Sequence, residues 1–288
     1  MYLLSLNKTL LQKYFHFILS YAIWASCCAV ALVLQTQQLL RVEINFYLGG
    51  LVFFATLCSY NFHFLIGSLQ LHKKFSVAFL LDQKVRCCCC IIGAMGVMLF
   101  FVPSQVNSIT LLIAALLTAT YSLPLFPIKW FGFIRKPGIL KTFLLAFTWM
   151  FVTGYFPIHQ AGLKITSCFT MLLLLHRFLF MFILCLMFDS RDAAIDKMSG
   201  LHSIVTDINP KFLKWLIYTV FILLLLVGLL LAKNGLQPLE TIALVLVVSI
   251  TFIMYCLSLK RRGFVFYYFG VDGLMVLSGL FTAIAHLF

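Results

Sequence analysis

The sequence predicts an all-α, polytopic membrane protein with nine transmembrane helices, and two observations lead to this fold class. The 288 residues are 63% hydrophobic and only 10% charged, whereas soluble domains carry about 25% charged residues. The apolar residues also fall in long stretches that suit spanning helices of about 20 residues and are too long and uniform for barrel strands. This composition excludes a soluble globular protein, a disordered chain and a disulfide scaffold.

Charged residues and turn residues divide the chain into nine apolar segments. The segments are expected at about 17–34, 44–66, 87–102, 108–128, 142–158, 166–188, 215–232, 241–259 and 264–288. A Gln-rich turn follows the first segment, a Pro-Ser-Gln turn at 103–105 follows the third, and prolines mark the end of the fourth. No small-residue cleavage site follows the first segment, so we expect it to remain as a mature helix. Together the nine helices are expected to form one domain over residues 1–288.

The basic residues predict the orientation of these helices. Sorting the 21 Lys and Arg residues by loop places seventeen on one side of the membrane. The other side holds only Arg41, Lys164 and Lys233, and Arg177 lies within the sixth segment. Because basic loops stay in the cytoplasm, we expect a cytoplasmic N-terminus, a C-terminus on the opposite side, and a bacterial inner membrane as the location. The net charge of +13 then arises from basic loops that set the topology and attract lipid headgroups. No nucleic-acid partner is predicted.

The acidic residues are scarce, and half of the eight lie between residues 189 and 207. If the sixth segment continues as a helix, Asp189, Asp192 and Asp196 occupy positions i, i+3 and i+7 and share one face. Three such carboxylates repel one another unless a cation lies among them, and Mg²⁺ accepts carboxylate, water and phosphate oxygens. The alternative is a solvated helix end at which Arg191 and Lys197 neutralise the acids.

The segment Asp-Ser-Arg-Asp-Ala-Ala-Ile-Asp-Lys-Met-Ser-Gly at 189–200 resembles the second aspartate-rich motif of UbiA-type intramembrane prenyltransferases. The resemblance extends to nine helices, a cytoplasmic N-terminus and a motif that follows helix six. It implies a UbiA-like bundle whose central cavity opens to the cytoplasm under loops 67–86 and 189–214. It also implies that Asp189, Asp192 and Asp196 hold Mg²⁺ and an isoprenyl diphosphate. Tyr121 and Lys141 resemble substrate-binding residues in the segment that joins helices four and five.

The first aspartate-rich motif of the family is degraded in this chain. Asn61 matches its initial Asn, but Phe62, Leu65 and Leu69 occupy the three aspartate positions. The resemblance therefore implies a supporting role for Asn61 and fewer metal ligands than the family has. Four cations near the two motifs are candidate diphosphate contacts, with binding to lipid headgroups as the alternative: Lys73, Lys74, Arg191 and Lys197.

Two charged residues lie inside predicted spans. Arg177 precedes Asp189 by twelve residues, about 18 Å along a helix, and Asp272 lies eight residues into the ninth segment. Intramembrane charges are costly and are usually paired or line a cavity. We therefore expect Arg177 and Asp272 to face the bundle interior and to neutralise each other.

The sequence thus predicts a divergent prenyltransferase that binds an isoprenyl diphosphate with Mg²⁺ and transfers the prenyl group to an unknown acceptor or cyclises it. Membrane lipids are the expected surroundings. Two alternatives remain open at this stage. One is a catalytically weak prenyl-lipid-binding or scaffold protein on the same fold, and the other is a transporter that uses the cavity and the intramembrane charges.

Overall fold

The structure is a computed structural model that describes residues 12–72, 83–122, 138–199 and 204–287. Within these ranges it describes no side chain at 69–72, 121–122, 138–139 or 194–199. All regular secondary structure in the described residues is helical, which confirms the predicted all-α class.

Eleven helices, numbered here in chain order, make up the described part of the chain. They are α1 Gln12–Ser20, α2 Ile23–Leu39, α3 Phe46–His72, α4 Lys84–Ser104, α5 Ser108–Ser122, α6 Gly138–Met150 with its continuation Phe151–Tyr155 and Phe156–Gln160, α7 Cys168–Ser199, α8 Ile204–Asp207, α9 Pro210–Lys233, α10 Pro238–Ser258, and α11 Phe266–Val271 with Asp272–Leu287. The middle part of α6 and the first part of α11 are π-helical turns.

Seven of these helices are each long and apolar enough to cross a bilayer, so the chain is an integral, multi-pass membrane protein. The bent pair α1 and α2 provides an eighth crossing if it counts as one span. The predicted fourth span corresponds to α5, which is apolar but shorter than the others in the described residues. Residues 123–128 of that predicted span lie outside the described residues. The count of nine therefore stays a prediction.

The first span is broken, which differs from the straight helix that the sequence predicts. Helices α1 and α2 meet at an angle of 63°. Ala22 adopts a left-handed conformation there, with a φ of 60°. The break has no Gly or Pro, the residues that usually mark such a site, so hydropathy alone could not reveal it.

Helix α7 is the central element of the bundle. About 67% of its spanning window is buried, against 11% for α4, which therefore lies at the periphery and faces lipid. An unbroken run of buried side chains from Leu179 to Met187 shows that α7 is surrounded by protein on every side. A helix that is apolar all round belongs in the interior, and this one carries the aspartate-rich segment at its end.

Buried polar contacts and small residues join the other helices to one another. Gln35 of α2 donates hydrogen bonds to the hydroxyls of Ser278 (2.7 Å) and Thr282 (2.9 Å) on α11. Such side-chain bonds supply part of the packing energy between spanning helices. Helices α3 and α4 approach so closely that a Cβ atom at Gly93 would lie 2.8 Å from the backbone nitrogen of Cys58.

Candidate functional site

Helix α7 continues without interruption past the apolar span to Ser199, as the aspartate spacing predicts. Its 32 residues extend about 48 Å, well beyond the ~30 Å hydrocarbon core of a bilayer. The positions of Asp189, Asp192 and Asp196 therefore share one face at a helix end that can reach water. The side chains of Asp196 and Lys197 lie outside those that the structure describes.

Asp189 is fixed by a residue of α6. The Thr142 hydroxyl donates a hydrogen bond to Oδ2 of Asp189, and Thr142 itself is almost fully buried. The preceding residue, Lys141, lies close enough to Cys185 and to His63 of α3 to interact with both electrostatically. The start of α6 thus brings the predicted Lys141 to the aspartate end of α7 and adds Thr142.

Asp192 is held by its own neighbour in the chain. Arg191 contacts it through two parallel hydrogen bonds, Nε to Oδ1 and Nη2 to Oδ2, both 2.7 Å long. This bidentate geometry is the strongest that Arg forms with a carboxylate. Each oxygen of Asp192 thus accepts one hydrogen bond from Arg191 and keeps lone-pair capacity that a cation can use.

An aromatic platform orients Arg191. Its guanidinium lies 4.9 Å from the Phe188 ring centre and 5.2 and 4.7 Å from those of Tyr267 and Tyr268 on α11. Nη2 also donates to the Tyr268 hydroxyl at 3.4 Å. Stacking on aromatic faces restricts the planar guanidinium to one orientation, so the cation is already ordered for a bidentate anionic ligand.

Asn61 has a structural role that the sequence did not reveal. Its buried Nδ2 donates to the carbonyl oxygen of Tyr21 (2.9 Å) and to that of Leu57 (2.8 Å). The Tyr21 carbonyl is at the break between α1 and α2, where the regular helical acceptor pattern is interrupted. Because both acceptors are carbonyl oxygens, the amide orientation is determined, and Oδ1 has no hydrogen-bond partner among the described residues.

Arg86 at the start of α4 is a cation that the sequence analysis did not select. Its guanidinium lies 5.4 Å from the ring centre of Tyr21 and 4.8 Å from that of Phe64. Nη1 is buried without a hydrogen-bond partner among the described residues. In the sequence, Arg86 directly precedes an apolar run, and a basic residue at such a position indicates only the topology. The polar Thr142, at the start of its own span, gave an equally weak signal.

The predicted ion pair between Arg177 and Asp272 is not formed among the described residues. Arg177 is buried, and its Nη2 donates to the Leu32 carbonyl oxygen (3.1 Å) and to Oγ1 of Thr36 (2.9 Å). Asp272 instead lies within electrostatic range of Cys185 and Arg191. Eight residues separate Cys185 from Arg177, about 12 Å along α7. The two charges therefore lie at different depths, and Asp272 belongs near the aspartate end.

The donor chemistry of this end can be compared with that of a magnesium site. Carboxylate oxygens are the ligands that Mg²⁺ prefers, and α7 presents Asp189 and Asp192 one turn apart. Within the described part of the chain no group of three or more His, Cys, Asp or Glu side chains could hold a metal ion. Three other predicted contacts cannot be placed: Lys73 and Lys74 lie outside the described residues, as does the side chain of Tyr121.

No protein-family model, curated protein or solved structure matches this chain. The arrangement at the end of α7 is therefore interpreted from its own residues and their chemistry.

Proposed function

We propose that this protein is a divergent UbiA-like prenyltransferase that binds an isoprenyl diphosphate at the aspartate end of α7. The observation that carries the proposal is the placement of Asp189 and Asp192 one turn apart, beside Lys141 and Arg191, at the end of the central apolar helix. This part of the protein combines a charged helix end with an apolar helix. An isoprenyl diphosphate likewise combines a polyanionic head with an apolar chain. The core packed around α7 consists of apolar and aromatic side chains, which are compatible with such a chain.

Each described residue at this end has a role that its geometry supports. Asp189 and Asp192 would hold Mg²⁺, and Thr142 keeps Asp189 oriented by its hydrogen bond. Asp196 is proposed as a third ligand from its position in the sequence. Bound Mg²⁺ supplies Lewis-acid stabilisation to the diphosphate leaving group. Arg191 exchanges its carboxylate partner for diphosphate oxygens, because its fork fits both equally well.

The remaining cations at this end are lysines, which contribute positive charge but not the bidentate hydrogen-bond geometry of Arg191. Lys141 lies within electrostatic range of Cys185, one turn of α7 before Asp189, and can neutralise part of the diphosphate charge. Lys73, Lys74 and Lys197 are proposed as further contacts from their positions in the sequence. The acceptor of the prenyl group is not specified by any of these residues.

We also propose nine spans, a cytoplasmic N-terminus and a central cavity that opens to the cytoplasm at the aspartate end, in a bacterial inner membrane. The distribution of basic residues supports this orientation, because seventeen of the 21 Lys and Arg residues fall on the side of Asp189. In this orientation a water-soluble Mg²⁺ ion and the diphosphate head both approach from the cytoplasm.

The proposal is tested by incubating the purified protein with isoprenyl diphosphates of several chain lengths and with candidate acceptors. Pyrophosphate release is measured with Mg²⁺ and with a chelator. We expect release that requires Mg²⁺ and that falls at least about a hundredfold in Asp189→Asn, as is common when a catalytic ligand is lost. Glu43→Gln, which removes an exposed acid far from the site in sequence, is the matched control and should retain full activity. Failure to release pyrophosphate from any donor would contradict catalysis.

A binding protein without turnover is the second candidate, and one observation favours it. Both oxygens of Asp192 are engaged by Arg191, and Phe62, Leu65 and Leu69 leave the first motif without carboxylates. Such a protein would bind the isoprenyl diphosphate with measurable affinity and release no pyrophosphate. Measuring binding and release on the same preparation separates the two candidates.

A further inference from the structure

A groove lies on the outer surface of α10, at the end of that helix which leads into α11. It encloses about 330 Å³ and is lined by Phe252, Ile253, Cys256, Leu257, Lys260 and Arg262. The first four lining residues lie on one face of α10, and Lys260 follows just after the helix ends at Ser258. The groove is thus a continuous strip that is apolar along α10 and basic where the helix ends.

The apolar part of the groove lies at the depth of lipid chains. Phe252, Ile253 and Leu257 are all exposed on the described surface. From Ile253 to Ser258, the last residue of α10, the helix rises about 7.5 Å, and Lys260 follows two residues later. The interfacial layer of a bilayer is about 5–7 Å thick on each side. A basic group in that layer therefore places the apolar residues beside the first methylenes of the acyl chains.

Arg262 is positioned by contacts within the protein. Its Nε donates to the Leu257 carbonyl oxygen at 2.9 Å, and its guanidinium lies 5.6 Å from the Phe266 ring centre. The hydrogen bond satisfies one of the free carbonyls at the C-terminal end of α10. The Nη1 and Nη2 groups keep four N–H donors for an outside ligand, in the fork geometry that matches phosphate oxygens.

The charge of this end of α10 is not compensated by acids. The sequence from 241 to 271 contains no Asp or Glu, and no ion pair among the described residues involves Lys260, Arg261 or Arg262. An anionic group between Lys260 and Arg262 would satisfy both cations. Anionic phospholipids have this form, with a phosphate at the interface and acyl chains below it, and they are the amphiphiles that surround the protein in a bilayer.

We propose that this groove is a specific binding site for an anionic phospholipid. The phosphate lies between Lys260 and Arg262, and the acyl chains follow Leu257, Ile253 and Phe252. The lining of the groove includes no residue of α7, and its binding of a phospholipid does not depend on the proposed enzymatic function. It would bind a bilayer lipid that remains attached when the protein is extracted.

Lipid retention measured by native mass spectrometry tests this proposal. The purified protein is reconstituted in nanodiscs of equal phosphatidylglycerol and phosphatidylcholine, and the lipids that stay bound after release from the disc are counted. We expect phosphatidylglycerol to be retained in preference, and Arg262→Gln to reduce its retention about fivefold, the effect of one cation near an anionic headgroup. Arg261→Gln is the matched control, because it removes the same charge at the same end without lining the groove.

Arg262→Gln also removes a hydrogen bond at the end of α10. A second variant therefore changes an apolar residue of the groove and leaves this hydrogen bond intact. Ile253→Trp fills the groove and leaves both cations in place, and we expect the same loss of phosphatidylglycerol. Equal losses in Arg261→Gln and Arg262→Gln would overturn the site in favour of diffuse attraction to headgroups. Equal retention of both lipids would also overturn it. Displacement of the lipid by millimolar inorganic phosphate would assign the cations to a soluble anion instead.

Discussion

The side chain of Asn61 shows how one residue can serve the fold at a position where the sequence indicated chemistry. Its Nδ2 holds the Tyr21 carbonyl at the break between α1 and α2, where the bilayer offers no water to replace that bond. The exposed amide of Asn234 makes the comparable bond to the carbonyl four residues earlier, at 2.8 Å from Leu230. The two asparagines thus form a matched pair that differs in burial.

We expect Asn61→Ala to destabilise the protein by about 1–3 kcal/mol, because it leaves a buried carbonyl without a donor. Asn234→Ala should change stability by less than about 0.5 kcal/mol, since water replaces its bond. The measurement is the thermal unfolding midpoint of both variants in the same detergent. Equal midpoints for wild type and Asn61→Ala would show that the Asn61 bond is not needed for the break.

At the same scale, Arg191 and Asp192 show a limit of sequence reasoning. The sequence leaves two alternatives for the acids at the end of α7, a shared cation or neutralisation by Arg191 and Lys197. The three rings that orient Arg191 come partly from α11, about 75 residues later in the chain, and only the tertiary structure brings them together. The bidentate pair therefore could not be distinguished beforehand from three independent carboxylates.

Among the elements, the seam between α3 and α4 is the tightest contact. A Cβ atom at Gly93 would lie 2.7–2.9 Å from the Cβ, N and Cα atoms of Cys58. Because the backbone of Cys58 cannot move aside as a flexible side chain can, the two helices must separate to accept even a methyl group. Gly67, on α3, has nothing within 4 Å of its corresponding position.

Gly93→Ala should therefore lower stability by about 1–3 kcal/mol through overpacking. Gly67→Ala serves as its control and should be neutral or slightly stabilising, because Ala favours helix over Gly by about 1 kcal/mol. Both effects are measured as shifts in thermal unfolding in one detergent. If Gly93→Ala is as stable as Gly67→Ala, the close approach of α3 and α4 is wrong.

The sequence predicted the helices well, because the cost of an unsatisfied backbone in lipid allows few other structures. It did not predict the break at Ala22 or the π-helical turns at Phe151–Tyr155 and Phe266–Val271. Two of these features contact other helices: Asn61 donates to the Tyr21 carbonyl oxygen at the break, and Thr36 donates to the Thr153 carbonyl oxygen in the first π-helical turn. The predicted Arg177–Asp272 pair is wrong because positions in the sequence do not determine how deep two residues on different helices lie in the bundle.

For the whole molecule, the distribution of basic loops predicts the orientation in the membrane. Nine spans require α5 to cross the bilayer, which places the residues after α9 outside and those after α10 inside. A reporter that is active only outside the cytoplasm, fused after Gly235, should therefore be active, and one fused after Gly263 should be inactive. The reverse pattern would contradict nine spans with a cytoplasmic N-terminus.

The central claim is that the aspartate end of α7 binds an isoprenyl diphosphate, and equilibrium binding of a non-reactive isoprenyl thiodiphosphate tests it most directly. We predict binding that requires Mg²⁺ and that weakens at least about tenfold, or 1.4 kcal/mol, in Asp189→Asn and in Asp192→Asn, while Glu43→Gln binds as the wild type does. Binding that is unaffected by Mg²⁺ and by both substitutions would contradict the claim.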